Sequence, residues 1–76
     1  MDTTSIEQMI RAGLPDATVN VTGDDGVHFE ARVVSPSFTG KSTLQRHRLV
    51  YATLGKLMGN EIHALGLHTE APEDSG

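Results

Sequence analysis

His28 and His63 each stand at the start of a segment that reads as a β-strand. A neutral imidazole projected from a strand is a good metal donor. His28 leads into Phe29-Glu30-Ala31-Arg32-Val33, where apolar and polar residues alternate, and His63 follows the apolar Ile62. A strand–helix–strand connection within one sheet makes its two strands parallel. If those strands are neighbours, both begin at the same edge of the sheet. Each histidine adjoins an inward residue, Phe29 or Ile62, so both belong to the outward face. Two imidazoles far apart in the chain are therefore expected to meet at one end of the exposed sheet surface. Two ligands are half of what zinc or a 2Fe–2S cluster takes. The chain has no cysteine, so the missing ligands would come from another molecule. The alternative, two surface histidines with no role, stays open on the residues alone. His68 is left unassigned.

A second group of chemical interest is basic. Lys41, Arg46, His47 and Arg48 cluster in a chain whose net charge is −4. Gly40-Lys41-Ser42 invites a phosphate-loop reading, but that motif needs a glycine at position 35, where Ser35 stands. The turn reads more simply as a helix start capped by Ser42, with Lys41 and free amides able to meet an anionic group of a partner. Arg46, His47 and Arg48 are successive on a helix and point about 100° apart, so they do not share a face. His47 aligns with Leu44 and Tyr51, which predicts a partly buried ring capping a backbone carbonyl. Arg46 and Arg48 are expected in solvent or against an acidic partner or nucleic acid. No Ser-His-Asp set and no paired-carboxylate cleft stands out, so an enzyme is not expected.

The elements that must position these groups follow from local patterns. Thr4-Ser5-Ile6-Glu7 reads as a capping box opening a first helix over 5–13, with Gly13 suited to the left-handed position past its end and Pro15 stopping it. Residues 17–22 and 29–33 alternate as a hairpin around Gly23-Asp24-Asp25-Gly26. Its inner face carries Val19, Val21, Phe29, Ala31 and Val33, and its outer face His28, Glu30 and Arg32. A long helix follows Ser42, boxed with Gln45. Its apolar line is Leu44, His47, Tyr51, Leu54 and Met58, widened by Val50 and Leu57, and it ends at Gly59-Asn60. Ile62 to Thr69 is a third strand. Residues 1–70 form one domain and 71–76 a disordered tail. The order is α-β-β-α-β: a small α+β domain, with a three-stranded mixed sheet and both helices on one face.

Seventy-six residues hold one domain. The longest apolar run falls far short of the roughly 20 residues of a membrane span. No signal peptide is visible, and a cytoplasmic, monomeric protein is expected. The acidic balance weighs against a general nucleic-acid binder.

One stretch, VHFEARVVSPSFTGKSTLQRHRLVYATLG followed by EIHALGL, resembles the BolA-like family over nearly the whole chain. The resemblance implies a class II KH-like fold. It also implies a monothiol glutaredoxin partner in a heterodimer and a bridged 2Fe–2S cluster. The cluster would be ligated by His28 and His63 on this side and by the glutaredoxin cysteine and glutathione on the other. Roles in iron homeostasis, stress response and transcription regulation come with the family. The alternative it carries is a DNA- or RNA-binding regulator using the KH-like surface through Lys41, Arg46, His47 and Arg48. Two departures stand out. The C-terminal helix that many members carry is not visible in the sequence. Gly40-Lys41-Ser42-Thr43 also lacks the second glycine of a Gly-x-x-Gly loop, where Thr43 would obstruct close approach of a nucleic-acid backbone.

Overall fold

The computed structural model describes residues 2–59, 62 and 64–74. The order is α1 (Thr3–Gly13), β1 (Thr18–Thr22), β2 (His28–Val34), α2 (Thr43–Leu54) and β3 (Ala64–Glu70), with one-turn 3-10 helices at Pro36–Phe38, Gly55–Leu57 and Pro72–Asp74. The sheet is mixed, in the order β1-β2-β3, with β1 antiparallel and β3 parallel to β2. This is the expected α-β-β-α-β arrangement. Alternation along β1 and β2 sends Val19, Val21, Phe29, Ala31 and Val33 to one face, where Ile6, Ile10, Val50 and Leu54 of the helices bury them. Leu65 joins this core from β3.

The start of α1 differs from expectation. Asp2, not Thr4, is the cap: its carboxylate accepts the Ser5 amide at 2.8 Å. Glu7, released from the capping box, accepts the amide of Val21 at 3.4 Å, and Arg11 donates to the carbonyl of Val19 at 3.1 Å. One turn of α1 thus satisfies backbone groups of the edge strand β1, which would otherwise invite pairing with another chain. Gly13 does not take a positive φ; the glycines that do are Gly26, Gly40, Gly55 and Gly59. Gly13 ends α1 where α2 crosses it, and a Cβ there would lie 2.5 Å from the Thr53 methyl.

The helix after Ser42 is capped as predicted, with both arms of the Ser42–Gln45 box formed at 3.2 and 2.9 Å. It is shorter than expected, because Gly55 at φ 53° stops it after Leu54. The expected apolar stripe is buried at Val50 and Leu54, but its first member, Leu44, is 59% exposed. The third strand begins at Ala64 rather than Ile62. Ile62 is fully buried, but its amide bonds to Leu57 and it bridges to Met58 instead of pairing with β2. Beyond β3, the expected disordered tail begins with a buried Ala71 and the Pro72–Asp74 turn; Ser75 and Gly76 lie outside the described residues.

Ser35 is fully buried, and its position explains the link from β2 to α2. Its hydroxyl donates to Asp16 at 2.7 Å and accepts the Ser37 amide at 3.0 Å, while the Ser37 hydroxyl reaches the other Asp16 oxygen at 2.7 Å. Both hydroxyls hold the Asp16 carboxyl below its usual range, Ser35 most strongly. Phe38, also fully buried, then anchors the chain just ahead of Gly40 and Lys41.

Candidate functional site

His28 is the first residue of β2, on the open face of the sheet, at the exit of the 23–27 turn. That turn is organised by one carboxylate. Asp25 Oδ1 accepts the backbone amides of Val27 at 2.9 Å and His28 at 2.8 Å, and Asp25 Oδ2 lies 2.7 Å from Nδ1 of the His28 ring. The His28 amide, then the ring, hold the Asp25 carboxyl well below the ordinary carboxylate range. The His28 side chain remains 69% exposed. Sequence reasoning took Asp25 only as a turn residue. Its signal was the Asp-x-x-His spacing, which a side-chain-capped turn can close on itself.

The parallel register of β2 and β3 sets Ala64 opposite His28. The adjacency of these strands, on which the expected meeting of imidazoles depends, is therefore present. His63 itself lies outside the described residues. Among the described residues no cluster of three metal-binding side chains occurs. His68 pairs with Arg32, four positions along from the His28–Ala64 pair, hence about 13 Å away at 3.3 Å per residue. It belongs to a different arrangement: Glu70 receives His68 Nε2 at 2.8 Å and Arg32 at 3.2 Å, and Arg32 foremost keeps that carboxyl ionised below its usual range. Gly66, between these two ends of the face, leaves room for the Glu30 carboxylate, which a Cβ would approach to 2.8 Å.

The basic group divides in two. Lys41 and Arg48 are exposed and, with Gln45 and Leu49, line an open groove of about 300 Å³. Arg46 turns inward, donating Nε to the carbonyl of Phe38 at 3.1 Å. His47 is half-buried and meets Tyr51 edge to face at 6.5 Å between ring centres, in place of the expected carbonyl cap. Tyr51 in turn donates its hydroxyl to the Leu65 carbonyl, tying α2 to β3. Only Lys41 and Arg48 of the four share a solvent-facing surface. No helix of the described residues is long and apolar enough to cross a membrane.

Comparison with known proteins gives concordant results. The family model described as BolA-like protein matches residues 10–74. The DNA-binding transcriptional regulator BolA of Escherichia coli (strain K12) is 44% identical over 50 residues, 66% of this chain and 48% of that protein. Human BolA-like protein 1 is 49% identical over 45 residues, 59% of this chain and 33% of its own. The chain thus spans about half the length of the first of these relatives and a third of the second. A BolA homologue from Coxiella burnetii superposes with a TM-score of 0.88 at 46% identity, covering 99% of this chain and 96% of that one. With the α-β-β-α-β order, the mixed sheet and a family match over most of its length, the chain belongs to the BolA-like family.

Proposed function

We propose that this protein is a non-enzymatic adaptor of iron–sulfur cluster handling in the cytoplasm. It binds a monothiol glutaredoxin as a heterodimer and offers His28 and His63 to a bridged 2Fe–2S cluster, whose other ligands are the glutaredoxin cysteine and glutathione. The observation that carries this reading is the parallel β2–β3 pairing, which sets Ala64, the neighbour of His63 in sequence, opposite His28. The donor chemistry of His28 fits: with Nδ1 engaged by Asp25, the other ring nitrogen is left to a metal, and the ring is exposed. Histidine ligation raises the reduction potential of such a cluster relative to all-cysteine ligation. This chain's part is to present His28 from the start of β2 and to dock the partner, with Lys41 and Arg48 meeting its acidic groups. The test is a titration of cluster-loaded, glutathione-bearing glutaredoxin with this protein, followed by visible absorption and circular dichroism. A spectral change saturating at one to one, lost in His28→Ala and in His63→Ala, is expected. A change that survives both substitutions refutes the assignment.

A second reading has a specific observation behind it: the Lys41–Arg48 groove at the start of α2, and the name of the E. coli relative, a DNA-binding transcriptional regulator. In this reading the chain contacts DNA or RNA through that groove. The net charge of −4 and Thr43 at the position of the second loop glycine weigh against it. Its signature is duplex binding that weakens steeply with salt and is blunted by Lys41→Ala and Arg48→Ala.

A further inference from the structure

We infer that Asp25 is the positioning residue of His28, fixing its tautomer so that Nε2 is the atom presented to a metal; this rests on the cluster-ligand reading above. The argument begins with hydrogen-bond inventory. An ionised carboxylate only accepts, so the 2.7 Å contact between Asp25 Oδ2 and His28 Nδ1 requires the proton on Nδ1. The lone pair of the neutral ring then sits on Nε2. An imidazole without such a partner distributes its proton over both nitrogens and its ring over several rotamers. Here the same carboxylate also takes the amides of Val27 and His28, so the backbone of the turn and the orientation of the ring are set by one group. Gly26, at φ 75°, makes the reversal possible, and no atom lies within 4 Å of where its Cβ would stand, so the turn is open to approach by a partner. A carboxylate behind a ligating histidine is the arrangement that orients imidazoles and raises their basicity in metal sites, and its removal weakens metal binding by about 10–100-fold.

Asp25→Asn separates this role from turn formation. The asparagine oxygen still accepts the Val27 and His28 amides, but its NH2 group donates to Nδ1 and so moves the ring proton to Nε2. Asp25→Ala removes both functions. The first readout needs no metal: long-range 1H–15N correlation of the His28 ring in the metal-free protein, at a pH where imidazole is neutral. Wild type should show one tautomer, with Nδ1 protonated and Nε2 bare; Asp25→Asn should invert it and Asp25→Ala should give a mixture. The second readout is the titration of 2Fe–2S-loaded glutaredoxin, where Asp25→Asn should weaken complex formation about 10–100-fold while far-UV circular dichroism stays unchanged. A tautomeric mixture in wild type overturns the inference. So does an Asp25→Asn variant that binds as wild type while His28→Ala abolishes the spectral change, which leaves the ligand reading intact and makes Asp25 a turn residue only. If His28→Ala changes nothing, the ligand reading fails and this inference with it.

Discussion

Replacing Gly13 by alanine pits two effects of known sign against each other. In a helix, glycine to alanine is favourable by about 1 kcal/mol. Against this, the new Cβ would lie 2.5 Å from the Thr53 methyl and 3.0 Å from Thr53 Cβ. Rotating Thr53 away moves the methyl but breaks the 2.6 Å bond from its hydroxyl to the Val50 carbonyl, and it does not relieve the Cβ contact. The helices must therefore separate by a few tenths of an ångström. Overpacking of this kind costs about 1–3 kcal/mol. Gly13→Ala should accordingly destabilise the fold by about 1 kcal/mol net, a shift of about 4–8 °C in Tm for a domain of this size. Thr53→Ser removes the clashing methyl and keeps the hydroxyl. In that background Gly13→Ala should be close to neutral, a coupling of about 1 kcal/mol across the pair. Urea unfolding of the four proteins in the double-mutant cycle measures it. A Gly13→Ala protein stabilised by the full helix-propensity gain would refute the close-approach argument. So would an equal loss in both backgrounds, which is what a left-handed glycine past the helix end would give.

Other outcomes follow from the same structure. Ser42→Ala removes the hydroxyl arm of the α2 capping box and should lower stability by about 1 kcal/mol in urea unfolding. Arg46→Ala should also lose about 1 kcal/mol, because Nε bonds to the Phe38 carbonyl, whereas Lys41→Ala and Arg48→Ala should stay within about 0.5 kcal/mol of wild type. Only the latter two should weaken binding of an anionic partner without a change in Tm. Asp2, Asp16 and Glu70 all titrate below their ordinary values of 3.8, 3.8 and 4.5, through Ser5, through Ser35 and Ser37, and through Arg32 and His68. Across that window the unfolded chain binds more protons than the folded one, so their stabilisation is complete above the ordinary values and is lost as pH falls below them. Thermal melts between pH 5 and about pH 3 should show this loss, and Asp16→Asn should start lower and fall less steeply; an unchanged slope would count against the Ser35–Asp16–Ser37 link.

Much of the scaffold was legible in the sequence because its signals are local. Alternation of Val19, Val21, Phe29, Ala31 and Val33 follows from the two-residue period of a strand, and the Ser42–Gln45 box closes within one helical turn. The element order then predicted a mixed sheet with His28 at the entry to β2, as found. Local signals misled where two partners compete for one group. Glu7 suits a capping box, yet the amide of Val21 is within its reach only once α1 lies along β1. Gly13, two residues before Pro15, reads as the left-handed residue past a helix end. It is instead the last helical residue, without positive φ, and the need for a small residue there comes from Thr53, forty positions away. The exposure of Leu44, at the start of a stripe whose Val50 and Leu54 are buried, depends on where β3 and α1 sit, which no helical wheel contains. For the site, composition by itself determined that any thiolate ligand of a metal or cluster must come from another molecule, since the chain has no cysteine. The hold of Asp25 on the His28 ring closes within one turn and had its signal in the Asp-x-x-His spacing. Only the tertiary structure decided that Lys41 and Arg48 part company with Arg46 and His47. The reason is the same in each case. Backbone periodicity is set by neighbours along the chain, whereas the partner of a polar side chain is set by whatever the fold brings within 3 Å of it.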